Sequence, residues 1–244
     1  MRSTVLTVLC IVGLAHAAHA QSGDRLRISV NAAAQVTSHT LTQSFSVPIN
    51  VESAPVSTSL DLKSAPMFDI GASYRIVKRL AVGVSATSLS RNIDGTLDAK
   101  IPHPFFFSTL RPISGDLSGL THKEVGAHVY AMYFIPAGNK LDIGIFGGPS
   151  HFSVKQGFVT DVDYTSSYPF ETATFTGAPT ETISRGATGF NVGTDVSWRL
   201  SKVLAVGGLI RFAKASTTFT VASGNTIDAD IGGLQTGAGV RILF

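Results

Sequence analysis

Two short stretches hold the side chains best suited to chemistry. In GGPSHFSV, His151 and Ser153 stand two apart, a spacing that puts both on one face of an extended strand. A histidine beside a serine hydroxyl is the pairing that takes the proton from an oxygen nucleophile. Here no acid is in sight to orient the ring, and Pro149 interrupts a strand ladder just upstream. In the second stretch, His122, Glu124 and His128 fall on one face of another strand. Their donor types suit a metal, but six residues of strand part His122 from His128 by about 20 Å. Hydrogen bonding or ion pairing inside a fold fits them better. No nucleotide-binding loop, zinc spacing or nucleic-acid motif accompanies them. The sequence therefore points to no catalytic residue, no cofactor and no metal.

The elements that carry these residues alternate with a period of two. The last stretch sets Leu234, Thr236, Ala238, Val240, Ile242 and Phe244 against Gln235, Gly237, Gly239, Arg241 and Leu243. Seven further segments do the same, near residues 25–36, 67–76, 80–86, 125–135, 141–148, 189–200 and 203–212. Each reads as a strand with one apolar face. Tight turns at Lys78-Arg79, Pro136–Asn139 and Ser201-Lys202 alternate with long connections around 40–65, 92–120, 157–186 and 222–229. The device SYRIVKRLAVG (73–83) recurs as SWRLSKVLAVG (197–207). That is a hairpin meander, not a βαβ fold.

The chain opens with Arg2, an apolar run from Val5 to Ala15 and Ala18-His19-Ala20. This is the pattern of a secretory signal spanning 1–20, cleaved before Gln21. The run is too short for a bilayer-spanning helix. Cleavage removes Cys10, the one cysteine, and takes Lys+Arg from 19 to 18 against 16 acids. A balanced charge gives no case for nucleic acid. Charged residues make up only 14% of the chain, against 24 glycines, so the solvent of the apolar faces must be decided.

Charge decides it. Asp69, Arg75, Glu124, His128, Asp142, Asp195, Arg199, Arg211 and Arg241 lie on the faces rich in Gly, Ala and Ser, which suits a cramped interior filled by ion pairs. The opposite faces run nearly uncharged for about ten residues from each tight turn, the span of a tilted membrane strand. Tyr74, Tyr133 and Trp198 stand on those faces near the tight turns, where an interfacial aromatic girdle belongs. The expected fold is all-β: a closed antiparallel transmembrane meander barrel over 21–244, of eight strands, or ten if the long connections hide another hairpin.

These features together resemble the small bacterial outer-membrane β-barrels of the OmpA, OmpX and OmpW kind. The resemblance implies short periplasmic turns, long extracellular loops, and a last strand whose Ile242 and Phe244 are read by the barrel-assembly machinery. It also implies a Gram-negative outer-membrane location, contact with membrane lipid and lipopolysaccharide, and a monomer. The outward His151-x-Ser153 resembles lipid A deacylase barrels in two residues only, so a lipid A-modifying hydrolase is a distant third reading. The first is a structural or surface-interaction barrel with a charge-filled lumen. The second is a narrow channel for small or hydrophobic solutes, as in the OmpW type, which inward Gly and Ser would favour. Phe105-Phe106-Phe107, in the second long connection, is expected to pack on the barrel rim, with a contact to lipopolysaccharide or an incoming apolar ligand as the alternative.

Overall fold

The structure, a computed structural model, describes residues 25–221 and 226–244; the signal expected over 1–20 lies outside the described residues. Twelve strands follow one another: β1 Leu26–Gln35, β2 His39–Ile49, β3 Glu52–Leu62, β4 Ala65–Val77, β5 Leu80–Pro102, β6 Leu110–Ala137, β7 Leu141–Val159, β8 Asp163–Thr165, β9 Thr174–Gly177, β10 Thr180–Arg199, β11 Leu204–Thr220 and β12 Thr226–Leu243. Eight of them close a ring, β1-β4-β5-β6-β7-β10-β11-β12, because β1 pairs antiparallel with both β4 and β12. Three tight connections, β4–β5, β6–β7 and β10–β11, mark one rim. At β6–β7 the turn needs the left-handed backbone of Gly138, φ 85°, which glycine adopts without a Cβ penalty.

The long connections are largely not loops. The stretch 40–65 forms the hairpin β2–β3, and 92–120 is mostly the upper halves of β5 and β6, paired as far as Pro102 with Leu110. β3 takes the place of β4 beside β5, with Val56–Asp61 against Asp94–Ala99, and β2 pairs with β3 along its whole length. The wall therefore rises past the apolar belt by about 35 Å, taking ~3.3 Å per residue and a tilt near 40°. The stretch 157–186 carries the small hairpin β8–β9, whose Phe175 side chain lies where a Cβ on Gly115 of β6 would point.

The reason is a swap of solvents along each strand. In the lower part of β5, Val82 and Val84 point outward and Ala81, Gly83, Ser85 and Thr87 inward. Above Ser88 the outward residues become Ser90, Asn92, Asp94, Thr96 and Asp98, while Leu89, Ile93, Leu97 and Ile101 are buried inside. The upper barrel thus has an ordinary hydrophobic core, with Leu60, Phe152, Phe158 and Phe219 in it, and a wet exterior. Above the switch β6 carries a bulge: Ile93 faces Leu120 but Gly95 faces Leu117, so that Leu117 and Ile113 turn inward beyond it. The extra residue is accommodated at Gly119, φ 76°, the usual place for a glycine in a strand bulge.

One break interrupts the lower wall. The β6–β7 ladder skips from His128↔Ser150 to Ala131↔Gly147, around Pro149, which has no N–H to give. The Asn191 side chain of β10 fills the break. Its Nδ2 donates within reach of Gly148 O (3.0 Å), Pro149 O (3.2 Å) and Ser150 Oγ (2.9 Å). Asn191→Leu, nearly the same size, should strip those acceptors of their donor and destabilise the barrel by about 1–3 kcal/mol. Urea unfolding in lipid vesicles measures this, and an unchanged midpoint would mean that the break needs no bridge.

Candidate functional site

In the membrane-level half of the barrel the lumen is a column of charges. Arg211 Nη1 is 2.8 Å from Asp69 Oδ2, both side chains 2% exposed. Asn31 Nδ2 donates to the other Asp69 oxygen at 2.7 Å, and Arg211 Nη2 to Ser85 Oγ at 2.9 Å. One level nearer the tight-turn rim, Asp195 accepts from Arg241 at 2.6 Å and from Arg27 at 2.8 Å. Arg241 also donates to Gly207 O at 2.9 Å. Near the rim Arg199 lies 3.6 Å from Asp142, and Arg75 stacks over the Phe134 ring at 4.4 Å. Charges taken this far from water persist only when paired and hydrogen-bonded.

Arg27 is the member that sequence reasoning missed. It shares the face of Ser29 and Asn31, so the parity of β1 was the signal available. The inward glycines are not empty space either. A Cβ on Gly83 would strike the Tyr130 ring, on Gly144 the Met132 sulfur, and on Gly193 the Phe146 ring. Small residues on one strand seat large ones from another. The gap left beside Arg27, Asp69, Asp195 and Arg211 measures about 20 Å³ and the next, beside Arg75 and Arg199, about 10 Å³. That is room for about one water molecule each.

The histidines divide into two sites. His128 Nδ1 meets Ser150 Oγ at 2.8 Å and its Nε2 meets Thr87 Oγ1 at 3.1 Å. His122, three inward positions further up β6, lies between Gln156 Oε1 (2.6 Å) and Glu124 Oε1 (2.7 Å). This second group caps the charged column beneath the hydrophobic core. His151 and Ser153 face outward and are exposed, and His151 Nδ1 has Thr188 Oγ1 at 3.3 Å.

Outside, Tyr74, Tyr133 and Trp198 are half exposed, as are Ile70, Val84, Val129, Ile145 and Ile210, and Phe68 is more exposed still. Leu80 to Ser88 gives a belt about 20 Å tall at the same rise and tilt, near the ~25 Å band of such barrels. A water-facing surface does not carry so continuous an apolar belt. The chain is a membrane-spanning β-barrel. Ile242 and Phe244 lie on the outer face, and Phe244 closes the seam, donating to Leu26 O at 2.8 Å and accepting from Arg25 N at 2.7 Å.

At the opposite end the structure overturns the expected packing of Phe105, Phe106 and Phe107 on the rim: they are 69%, 61% and 79% exposed. The reason is a pinned loop. His103 Nδ1 accepts from Phe105 N and Phe106 N at 3.1 and 3.2 Å, and Glu52 accepts from Ser108 N at 2.8 Å. Phe105 meets Phe170 edge-on at 5.6 Å. These contacts hold the rings up, off the wall.

No protein-family model matches the chain, and no curated protein sequence matches it. Among solved structures it is similar to the outer membrane protein OprG from Pseudomonas aeruginosa, at 10% identity and TM-score 0.47 over 91% of this chain and 96% of that one. It is also similar to the outer membrane protease OmpT from Escherichia coli, at 8% identity and TM-score 0.47 over 91% and 98%. Neisserial surface protein A is a third, at 15% identity and TM-score 0.41 over 90% and 97%.

The Asp69–Arg211 pair gives a direct test of the charged column. Asp69→Ala should cost about 3–5 kcal/mol by stranding a buried guanidinium, whereas Asp69→Leu with Arg211→Met should restore most of it. The check is urea denaturation of both barrels, with additive losses as the contrary result.

Proposed function

We propose that this barrel is a closed, structural outer-membrane protein that presents a rigid surface to the outside, not a pore. The observation that carries the reading is the packed lumen. Ion pairs at 2.6–2.8 Å and gaps of about 20 and 10 Å³ leave a solute no path at membrane level. Above them, the His122–Glu124 layer and the hydrophobic core add a second plug. The narrow-channel reading rested on inward small residues, and Tyr130, Met132 and Phe146 occupy that space.

Within this reading the chain is exported by residues 1–20, spans the outer membrane as a monomer, and is inserted by the assembly machinery through a last strand ending in Ile242 and Phe244. The surface-interaction role belongs to the raised tip, where Phe105–Phe107, Tyr168 and Phe170 stand well beyond the belt. Planar-bilayer recording of the refolded barrel should show no stepwise conductance. Asp195→Ala with Arg241→Ala, which empties the middle of the column, should raise leak if the pairs are what seals it. Regular openings from the unaltered protein would favour the channel.

A further inference from the structure

Lys123 on β6 and Lys155 on β7 are direct partners across the ladder, both pointing outward and exposed. Like charges directly opposed on a sheet repel, and among the described residues no carboxylate forms an ion pair with either. The outward Lys214 of β11, also just above the belt, is by contrast neutralised by Asp230 at 2.8 Å. The two lysines are left with each other.

Their neighbours share one chemistry. Ser90 of β5 pairs with Lys123 and Ser184 of β10 with Lys155, so the row reads Ser-Lys-Lys-Ser across four strands. One row nearer the membrane lies Ser153, opposite Val125 on one side and Gly186 on the other. Below that β6 turns apolar at Ala127 and Val129, with the exposed His151 of β7 opposite Ala127 and bonded to Thr188 on its far side. The patch is therefore a pair of ammonium groups with hydroxyls around them, at the line where hydrocarbon gives way to water.

We propose that Lys123 and Lys155 bind the phosphate of a phosphorylated lipid headgroup, whose acyl chains lie along Val125, Ala127 and Val129. A phosphate monoester carries nearly two negative charges and three strong acceptor oxygens. It would turn the repulsion between the lysines into a shared attraction and take donors from Ser90 and Ser153. A free phosphate has the same chemistry, but the apolar wall immediately below selects one attached to a lipid. The site rests on the reading that the belt lies in a bilayer.

The test uses the full barrel, first floated with zwitterionic vesicles to establish insertion, then examined by native mass spectrometry. The probes are bisphosphorylated lipid A, the same lipid without phosphates, and inorganic phosphate. The barrel should retain the phosphorylated lipid, and lose about tenfold or more in affinity with the dephosphorylated one. Lys123→Gln with Lys155→Gln should lose as much for the phosphorylated lipid and nothing for the other. Lys123→Glu sets a carboxylate opposite Lys155, so that barrel should fold at least as well and still lose the lipid. Equal binding of both lipids, or variants that bind like the parent, overturns the site. Competition by inorganic phosphate at micromolar concentration overturns its assignment to lipid. Failure of the parent barrel to float overturns the membrane reading itself, and the two failures are thereby distinct.

Discussion

Hydrocarbon offers no partner to a backbone N–H or C=O, so a sheet that crosses a membrane has to close on itself. The wall obeys that constraint where the belt runs. At belt level all eight neighbours are paired, β12 to β1 from Gln235 to Leu243 and β10 to β11 from Gly189 to Arg199. The one break, beside Pro149, is bridged by Asn191. Higher up the wall opens. β10 and β11 stop pairing above Gly189↔Ala215, and β2 has a strand partner on one edge only. Water reaches those free edges, and the cleft between β2 and the β11–β12 extension is lined by Thr40, Ser216, Thr218, Asp228 and Asp230.

Closure at eight strands sets what the interior holds. The ring is only wide enough for side chains, and the outer face has taken the large apolar ones for lipid. The inward face is left with small residues, a few large rings and chains such as Tyr130, Met132, Phe134 and Phe146 packed among them, and long polar residues that pair. Above the belt the demand reverses. Water surrounds the wall, so Ser, Thr and Asp turn outward and Leu, Ile and Phe fill the inside. One pleated strand serves both solvents by exchanging which parity is apolar, as β5 does at Ser88, while the bulge at Gly119 resets the facing of β6 higher in the wall.

How much of this the sequence showed follows from that exchange. The lower strands were legible because a period of two with uncharged outward faces has one physical meaning beside tight turns. The side of the wall on which Asp69, Arg75, Asp195, Arg211 and Arg241 lie followed from parity alone. The upper wall was hidden for the same reason. Once the apolar face is taken to be lipid-facing, a stretch such as SRNIDGTLDAK (90–100) presents polar residues where grease is expected and reads as a loop. Its other parity, Ile93, Leu97 and Ala99, is a core face. The seating of Tyr130 over Gly83 joins residues of neighbouring strands by depth and ring orientation, which no pattern along one strand encodes. The exposure of Phe105–Phe107 depends on His103 and Glu52 holding the loop upright.

The central claim is that one barrel meets lipid below about Ser88 and water above it, with ion pairs threaded through its core below and an apolar core above. Spin labels placed singly along β5, in the barrel refolded from residues 21–244, which hold no cysteine, and in lipid vesicles, test it most directly. Labels at Val82, Val84 and Ala86 should relax with oxygen, those at Thr96 and Asp98 with a water-soluble nickel chelate, and one at Leu97 with neither. Oxygen accessibility continuing through Thr96 and Asp98 would contradict it, because the polar outward face would then lie in the bilayer.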